Sequence, residues 1–253
     1  MERRSLCPFV GREAALRLLR DRLRMAIAGD AQCVVASGGP GVGKTRLIDE
    51  LRRHAAAGEC LTLQGYCGTY LAEPLQPFLQ MLRTLFGLSP GLPAEPAQAH
   101  PLLAALEQEE GGAAVLAQAR QLVAPREEAR APSSAGAAVP ALRSLFQRLA
   151  ARQPLMLVVD DWQWADEASQ QALDAVLSLR GPIFVVAATR AAVGESLFLA
   201  PVTTLELQPL DDDEAAKATR HLLPGADPFV VAEIQRYAGG IPLFIEELCH
   251  SAS

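Results

Sequence analysis

The chain has 253 residues, of which 50% are hydrophobic and 21% charged, and its formal net charge is −6 at pH 7. This composition is typical of a globular protein with a sizeable core, and it excludes a mainly disordered chain. The net charge excludes a generally basic surface for wrapping nucleic acid, and no direct nucleic-acid binding is evident in this chain, with a local basic patch as the open alternative.

The cysteines and the amino terminus indicate the compartment. The cysteines are odd in number and none forms a CxxC pair, so neither a zinc ribbon nor a disulfide framework is indicated. The amino terminus lacks the apolar segment of a signal peptide, and no apolar run approaches the roughly 18 residues of a membrane span. We therefore expect a cytoplasmic protein with reduced thiols and no membrane contact.

The first elements alternate between helix and strand. Apolar residues at helical spacing predict an amphipathic helix over 13–27. A short buried strand is expected at 33–36, followed by a glycine-rich loop and a helix from 43 to about 57. A second strand is expected at 61–63.

Residues 74–151 have a different character. Two stretches rich in proline and alanine, 89–101 and 125–140, separate helical segments predicted at 78–86, 102–110, 114–123 and 142–151. We interpret this region as a helical insertion with one or two mobile loops.

The alternation then resumes. The apolar run at 155–159 ends in Asp160 and Asp161, which is typical of a central parallel strand buried on both faces. Asp166 is placed to cap a helix over 168–179. Further strands are expected at 183–188 and 202–207, and further helices at 211–222, 228–238 and 242–249.

These elements predict an α/β protein with a parallel sheet flanked by helices. We expect one main domain at 1–208, which contains the helical insertion at about 74–151. Residues 209–253 would then begin a small C-terminal helical subdomain.

The strongest signal is the glycine-rich loop after the first strand, which we name the phosphate loop. It fits G-x-x-x-x-G-K-[ST] at every required position, with Gly38, Gly39, Pro40, Gly41, Val42, Gly43, Lys44 and Thr45. The backbone N–H groups of such a loop point at phosphate oxygens, and the next helix adds the positive end of its dipole. Lys44 would reach the β and γ phosphates of ATP, and Thr45 would ligate Mg²⁺.

Two carboxylates follow the apolar strand at 155–159. Asp160 suits a role in holding Mg²⁺, and Asp161 suits polarising a water for attack on the γ-phosphate. The alternative is a pair of solvent-facing carboxylates at a strand end. Because an aspartate reaches less far than a glutamate, we expect hydrolysis to be slow.

Two arginines lie close to the same elements. Arg190 follows the next apolar strand, at the sheet edge where ligands of α/β folds bind, and it could report whether ATP or ADP is present. A surface arginine that closes the strand is the alternative. Arg46 follows Thr45 directly, and there a solvated helix residue is expected, with phosphate contact as the alternative.

Five motifs occur in order: VGRE at 10–13, GGPGVGKTRL at 38–47, LVVDDWQWAD at 157–166, AATR at 187–190 and GGIPLFIEEL at 239–248. Together they resemble the nucleotide-binding module of STAND-class signalling ATPases, which are related to AAA+ proteins and include large LuxR-type bacterial transcriptional regulators. The resemblance covers nearly the whole chain. It implies an AAA+-like P-loop NTPase fold that binds ATP or ADP with Mg²⁺.

The resemblance also implies roles for single residues. Val10, Gly11 and Arg12 match the segment near the adenine. Arg190 matches the arginine that senses the γ-phosphate, and Pro242 matches the proline of a G-x-P element near the base. From the residues alone, the segment at 239–242 is equally a helix stop followed by a helix start.

We therefore predict an ATP/ADP switch with slow Mg²⁺-dependent ATP hydrolysis, the regulatory part of a larger protein similar to a transcription regulator. The family implies downstream sensor and effector domains or a partner protein, and an ATP-bound state able to self-associate. Three alternatives stay open. They are an AAA+ remodelling or loading ATPase, a P-loop phosphotransferase that uses 74–151 as acceptor site or lid, and a scaffold that has lost nucleotide binding.

Overall fold

The computed structural model describes residues 9–57, 60–69, 73–88, 99–124, 135–190 and 202–252. Over these ranges the chain forms α1 (Glu13–Ile27), β1 (Gln32–Ser37), α2 (Lys44–Ala57), β2 (Leu61–Tyr66), α3 (Gln76–Leu85), α4 (Pro101–Glu107), α5 (Gly112–Val123), α6 (Ala135–Ala150), β3 (Leu155–Asp160), α7 (Glu167–Leu177), β4 (Ile183–Thr189), β5 (Thr203–Glu206), α8 (Asp212–Leu222), α9 (Pro228–Ala238) and α10 (Pro242–Ala252).

The strands form one sheet with the order β2-β3-β4-β1-β5, and every pairing is parallel. Apolar runs explain the central strands, because β4 is buried along its whole length and β3 is buried up to its last residue, Asp160. The predicted α/β class, a parallel sheet flanked by helices, is confirmed. Since the strands are parallel, the residues that follow β1, β3 and β4 emerge at one edge of the sheet.

Helices cover both faces of this sheet. Side chains along β3 alternate between two cores, with Leu155, Leu157 and Val159 in one and Met156 and Val158 in the other. Helices α3 to α7 contribute to the first core, and α1 and α2 contribute to the second. The two cores fix the sheet, and with it the strand ends that carry the candidate site.

The last three helices pack around an apolar cluster of their own, which includes Leu210, Ile234 and Ile245. Helix α8 begins with a capping box. The carboxylate of Asp211 accepts from the backbone N–H of Glu214, whose side chain accepts from the backbone N–H of Asp211. The capping box therefore accounts for Asp211 and Glu214, the first and last residues of the acidic run at the start of this helix.

Most element boundaries agree with the prediction within three residues, and α6 differs most. It begins at Ala135 instead of 142, and it contains Pro140. Ala138 and Ala141 are buried and extend the apolar stripe of Leu142 towards the amino terminus. Packing of this stripe outweighs the one hydrogen bond that the proline does not donate.

Residues 89–98 and 125–134, which make up most of the two predicted loops, lie outside the described residues. Asp166 caps α7 as predicted, because its carboxylate accepts from the backbone N–H of Ser169. Across the described ranges, no helix has both the length and the apolar character needed to cross a membrane. The cysteines in these ranges are buried free thiols: Cys33, Cys60, Cys67 and Cys249.

Candidate functional site

A cavity of about 1090 Å³ opens at the carboxyl edge of the sheet. Its volume is of the order of a small-molecule or cofactor site. Most of the residues singled out from the sequence line it: Val10, Arg12, Pro40, Gly41, Val42, Gly43, Lys44, Thr45, Arg46, Asp160, Asp161, Arg190 and Pro242. Gly11, Gly38 and Gly39 lie next to the cavity and do not line it.

The phosphate loop wraps tightly between β1 and α2. Gly38 has φ +150° and Gly41 has φ +76°, conformations that glycine adopts without steric cost. A Cβ on Gly38 would also lie 2.6 Å from the carbonyl oxygen of Leu207, so the backbone just after β5 leaves no room for a side chain there. Helix α2 begins at Lys44, which directs the N–H groups of its first turn at the loop.

Lys44 folds back over the phosphate loop. Its Nζ donates to the carbonyl oxygens of Gly38 at 2.8 Å and of Gly39 at 2.9 Å. Burial lowers the pKa of Lys44, and the positive charge of Arg190 lowers it further, while Asp160 and Asp161 oppose the shift. Two cations therefore repel each other across the cavity, and a bound anion would relieve this repulsion.

Thr45 and Asp160 meet although they come from different elements. The Thr45 hydroxyl donates to Oδ2 of Asp160 at 3.2 Å, and Oδ1 of Asp160 accepts from the backbone N–H of Asp161 at 2.9 Å. A hydroxyl beside one carboxylate fits Mg²⁺, which commonly takes one or two carboxylates and completes its shell with water and phosphate oxygens. Across the described ranges, no group of three or more His, Cys, Asp or Glu side chains forms an all-protein metal site.

Asp161 and Arg190 form an ion pair, with Arg190 Nε 3.3 Å from Asp161 Oδ1. Asp161 has φ +53°, a left-handed conformation that turns the chain sharply after β3. Its Oδ1 also accepts from Nε2 of Gln163 at 2.8 Å, and Oε1 of Gln163 accepts from the backbone N–H of Arg190 at 3.1 Å. The sequence analysis missed Gln163, although it lies inside the LVVDDWQWAD motif two residues after Asp161.

The amino-terminal segment is anchored through Arg12. Its Nη2 donates to the carbonyl oxygens of Val42 at 3.1 Å and of Gln208 at 2.6 Å, so it joins the phosphate loop to the segment after β5. Burial lowers the pKa of Arg12, and the carboxylate of Glu214 opposes this. A Cβ on Gly11 would lie 2.3 Å from Cδ of the same Glu214. These contacts could not be predicted from the sequence, because their partners are distant in the chain.

The start of α10 lies against the phosphate loop. The backbone N–H of Leu243 donates to the carbonyl oxygen of Gly41 at 3.3 Å, and Pro242 Cγ lies 4.0 Å from the position of a Cβ on Gly43. Gly240 has φ +71°, and its carbonyl oxygen accepts from the backbone N–H of Leu210 at 2.8 Å. The start of α10 thus forms one wall of the cavity.

Residues 8–186 match the family model of the AAA ATPase domain. An uncharacterized protein of Rhizobium meliloti is 30% identical over an alignment of 265 positions, which covers 97% of this chain and 25% of that protein. The chain thus spans about a quarter of the length of this curated relative.

Two solved structures show the same fold. The STAND protein with a tetratricopeptide repeat sensor from Pyrococcus horikoshii has a TM-score of 0.51 at 19% identity, over 94% of this chain and 30% of that one. The Drosophila ORC bound to DNA has a TM-score of 0.60 at 19% identity, over 98% of this chain and 57% of that one. The predicted AAA+-like P-loop fold is confirmed, and the match over 8–186 shows that the chain belongs to the AAA ATPase domain family.

Proposed function

We propose that this chain is the nucleotide switch of a larger signalling protein, which holds ATP or ADP and hydrolyses ATP slowly with Mg²⁺. One observation carries the proposal. Residues 40–45 of the phosphate loop, the Thr45–Asp160 pair, the Asp161–Arg190 pair and the start of α10 all line the same cavity.

Phosphate binding would depend on Lys44 and on the N–H groups of the phosphate loop. Lys44 would exchange its contacts with the carbonyls of Gly38 and Gly39 for contacts with phosphate oxygens. The repulsion between Lys44 and Arg190 supports this role, because a polyanion between two cations removes an unfavourable interaction.

Metal binding and turnover would depend on the two carboxylates. Thr45 and Asp160 would hold Mg²⁺, which when bound neutralises charge on phosphate oxygens. Asp161 would polarise the attacking water, and the products would be ADP and phosphate. Because an aspartate reaches less far than a glutamate, we expect this hydrolysis to be slow.

Signalling would depend on the C-terminal helices. Leu243 contacts the phosphate loop directly, and Arg12 ties the loop to the segment before α8. A nucleotide that occupies the loop would change both contacts and draw the α8–α10 cluster towards the sheet. Since the chain spans a quarter of its curated relative, we propose that further sensor and effector domains, or a partner, read this movement.

The test is the nucleotide content of gently purified protein, measured by denaturation and chromatography. Lys44→Ala is compared with wild type, and Lys217→Ala is the control, because Lys44 and Lys217 are the two lysines of the chain and Lys217 lies exposed on α8. We expect near-stoichiometric ADP in wild type and in Lys217→Ala, and none in Lys44→Ala. A wild-type protein that is empty and refuses added Mg·ATP contradicts the proposal.

The two enzyme alternatives give different results in the same preparation. Nucleotide-dependent hexamers in analytical ultracentrifugation would favour a remodelling or loading ATPase. Turnover that depends on a small-molecule acceptor and yields a phosphorylated product would favour a phosphotransferase. Different protease patterns and small-angle scattering with ATP and with ADP would favour the switch.

A further inference from the structure

The pairing between β3 and β4 ends before the candidate site. Its register runs from Leu155 opposite Ile183 to Val159 opposite Ala187, whereas β1 stays paired with β4 as far as Ser37 opposite Thr189. Beyond Val159 the chain therefore leaves β4, and it turns sharply at Asp161. Backbone pairing alone does not fix the distance between Asp161 and Arg190.

The side chain of Gln163 spans this opening. Its Nε2 donates to Oδ1 of Asp161 at 2.8 Å, and its Oε1 accepts from the backbone N–H of Arg190 at 3.1 Å. One orientation of the amide satisfies both partners, because the flipped amide would set oxygen against oxygen and N–H against N–H. Gln163 thus connects the two chain segments beyond the last β3–β4 backbone pair, where the side chains of Asp161 and Arg190 meet.

The ion pair between Asp161 and Arg190 needs such support. The Arg190 side chain is 57% exposed and the Asp161 side chain 36% exposed. Exposed ion pairs contribute little and hold no single geometry by themselves. Gln163 binds the carboxylate of one partner and the backbone of the other, so it restricts both at once.

We propose that Gln163 is a positioning residue, which holds Asp161 and Arg190 in one arrangement so that both address the γ-phosphate and its attacking water. This inference rests on the proposed function. Gln163 itself contacts Asp161 and Arg190 and is not assigned a contact with nucleotide. Its loss should therefore affect turnover and the response to the γ-phosphate, and it should leave the binding of ADP at the phosphate loop unchanged.

The test compares Gln163→Met, which keeps the shape and loses both hydrogen bonds, with wild type, with Arg190→Ala and with the control Gln171→Met. Gln171 is exposed on α7 and donates to Glu167 in the preceding helical turn, away from the site. Gln163→Glu is the second variant, because it keeps the acceptor for Arg190 N–H and loses the donor to Asp161. Calorimetry gives the Kd values of Mg·ADP and of Mg with a non-hydrolysable ATP analogue, and phosphate release gives kcat and KM.

We expect Gln163→Met to keep the Kd of Mg·ADP within about twofold of wild type and to lower kcat about tenfold or more. In Gln163→Met the ratio of the two Kd values should move towards the ratio found for Arg190→Ala. Gln163→Glu should also lower kcat. Gln171→Met should match wild type in every measurement.

Three results would overturn the inference while nucleotide binding stands. In the first, Gln163→Met matches Gln171→Met in kcat and in the Kd ratio. In the second, Gln163→Met weakens the binding of Mg·ADP as much as that of the ATP analogue, which indicates a merely structural role. In the third, Arg190→Ala leaves the Kd ratio unchanged, so that there is nothing for Gln163 to position. A wild-type protein that binds neither nucleotide fails at the earlier step, the proposed function.

Discussion

The backbone N–H of Leu243 donates to the carbonyl oxygen of Gly41 at 3.3 Å, which joins the first turn of α10 to the middle of the phosphate loop. The fit around this hydrogen bond is close. A Cβ on Gly41 would lie 3.0 Å from both Ile241 Cγ2 and Leu243 Cβ, and Gly41 has φ +76°. The phosphate loop and the start of α10 are therefore in close contact, and we expect a change in the loop conformation to shift the position of α10.

Replacing Gly41 by alanine should weaken this contact. Both the positive φ and the two close approaches oppose a side chain, so we expect Gly41→Ala to lower the free energy of unfolding by about 1–3 kcal/mol. We also expect faster hydrogen exchange in α10. The control is Gly29→Ala, which has φ +102° and open space around the new Cβ, so it carries backbone strain alone. Equal losses of stability in the two variants, with unchanged exchange in α10, would contradict the prediction.

Arg12→Ala should destabilise the protein more than an ordinary surface substitution. It removes a charged donor from two carbonyl oxygens, those of Val42 and Gln208, and we expect a loss of about 1–3 kcal/mol in urea unfolding. Arg24→Ala is the control, because Arg24 is 74% exposed in its ion pair with Asp21 and should change stability by less than about 0.5 kcal/mol. Similar urea midpoints for the two variants would mean that the Arg12 bridge contributes nothing.

Much of the fold could be predicted because the sequence of each central strand is an unbroken apolar run. β3 and β4 are buried on both faces, so the run that predicts each strand also predicts a parallel sheet with helices on both sides. The start of α6 could not be predicted. Pro140 is locally typical of a loop, and only the burial of Ala138 and Ala141 in three dimensions favours a helix there.

Part of the candidate site could likewise be predicted from the sequence, and part could not. The phosphate loop is a contiguous motif whose chemistry requires each residue type, so the sequence suffices to find it. The contacts of Gln163 and Arg12, by contrast, are with groups far along the chain: the backbone N–H of Arg190, just after β4, and the carbonyl oxygen of Gln208. Backbone carbonyls carry no residue-specific signal. Such contacts become visible only in three dimensions.

Asp160→Asn should remove the effect of Mg²⁺ on ATP binding. The amide keeps a partner for the Thr45 hydroxyl but lacks the charge that attracts a hard cation. We expect the enhancement of ATP affinity by Mg²⁺ to fall about tenfold, or about 1.4 kcal/mol, with binding in EDTA unchanged. Asp212→Asn, an exposed carboxylate in the first turn of α8, should behave as wild type. An Asp160→Asn variant that retains the full Mg²⁺ effect would exclude Asp160 as a ligand.

Arg190→Ala should affect function far more than stability. The ion pair with Asp161 is exposed, so we expect unfolding to change by less than about 1 kcal/mol. The matched control is Arg236→Ala, whose ion pair with Glu233 is similarly exposed. Both variants should unfold at similar urea concentrations, while Arg190→Ala alone should lose the difference between ATP and ADP in protease protection. A normal difference in Arg190→Ala would exclude a γ-phosphate sensor at this position.

We expect Cys67 to lower the stability of the protein as the pH becomes alkaline. Burial raises the pKa of its thiol to about 12, and the negative charges of Asp166, Asp161 and Asp160 add to the shift. The folded state therefore holds this proton more tightly than the unfolded chain, in which the thiol ionises near its ordinary value of 9.0. The contribution of Cys67 is fully present below pH 9, and it is lost progressively between about pH 9 and pH 12.

Cys67→Ala should remove this pH dependence although it lowers stability at neutral pH, where the missing sulfur leaves a small void. Between pH 7.5 and pH 10, wild type should lose about 1.4 kcal/mol more than the alanine variant, because only its unfolded thiol ionises in that interval. Urea unfolding of both proteins at the two pH values measures the difference, and other ionisable groups cancel in the comparison. If the two proteins lose equal stability over this range, the Cys67 thiol ionises as readily in the folded protein as in the unfolded chain.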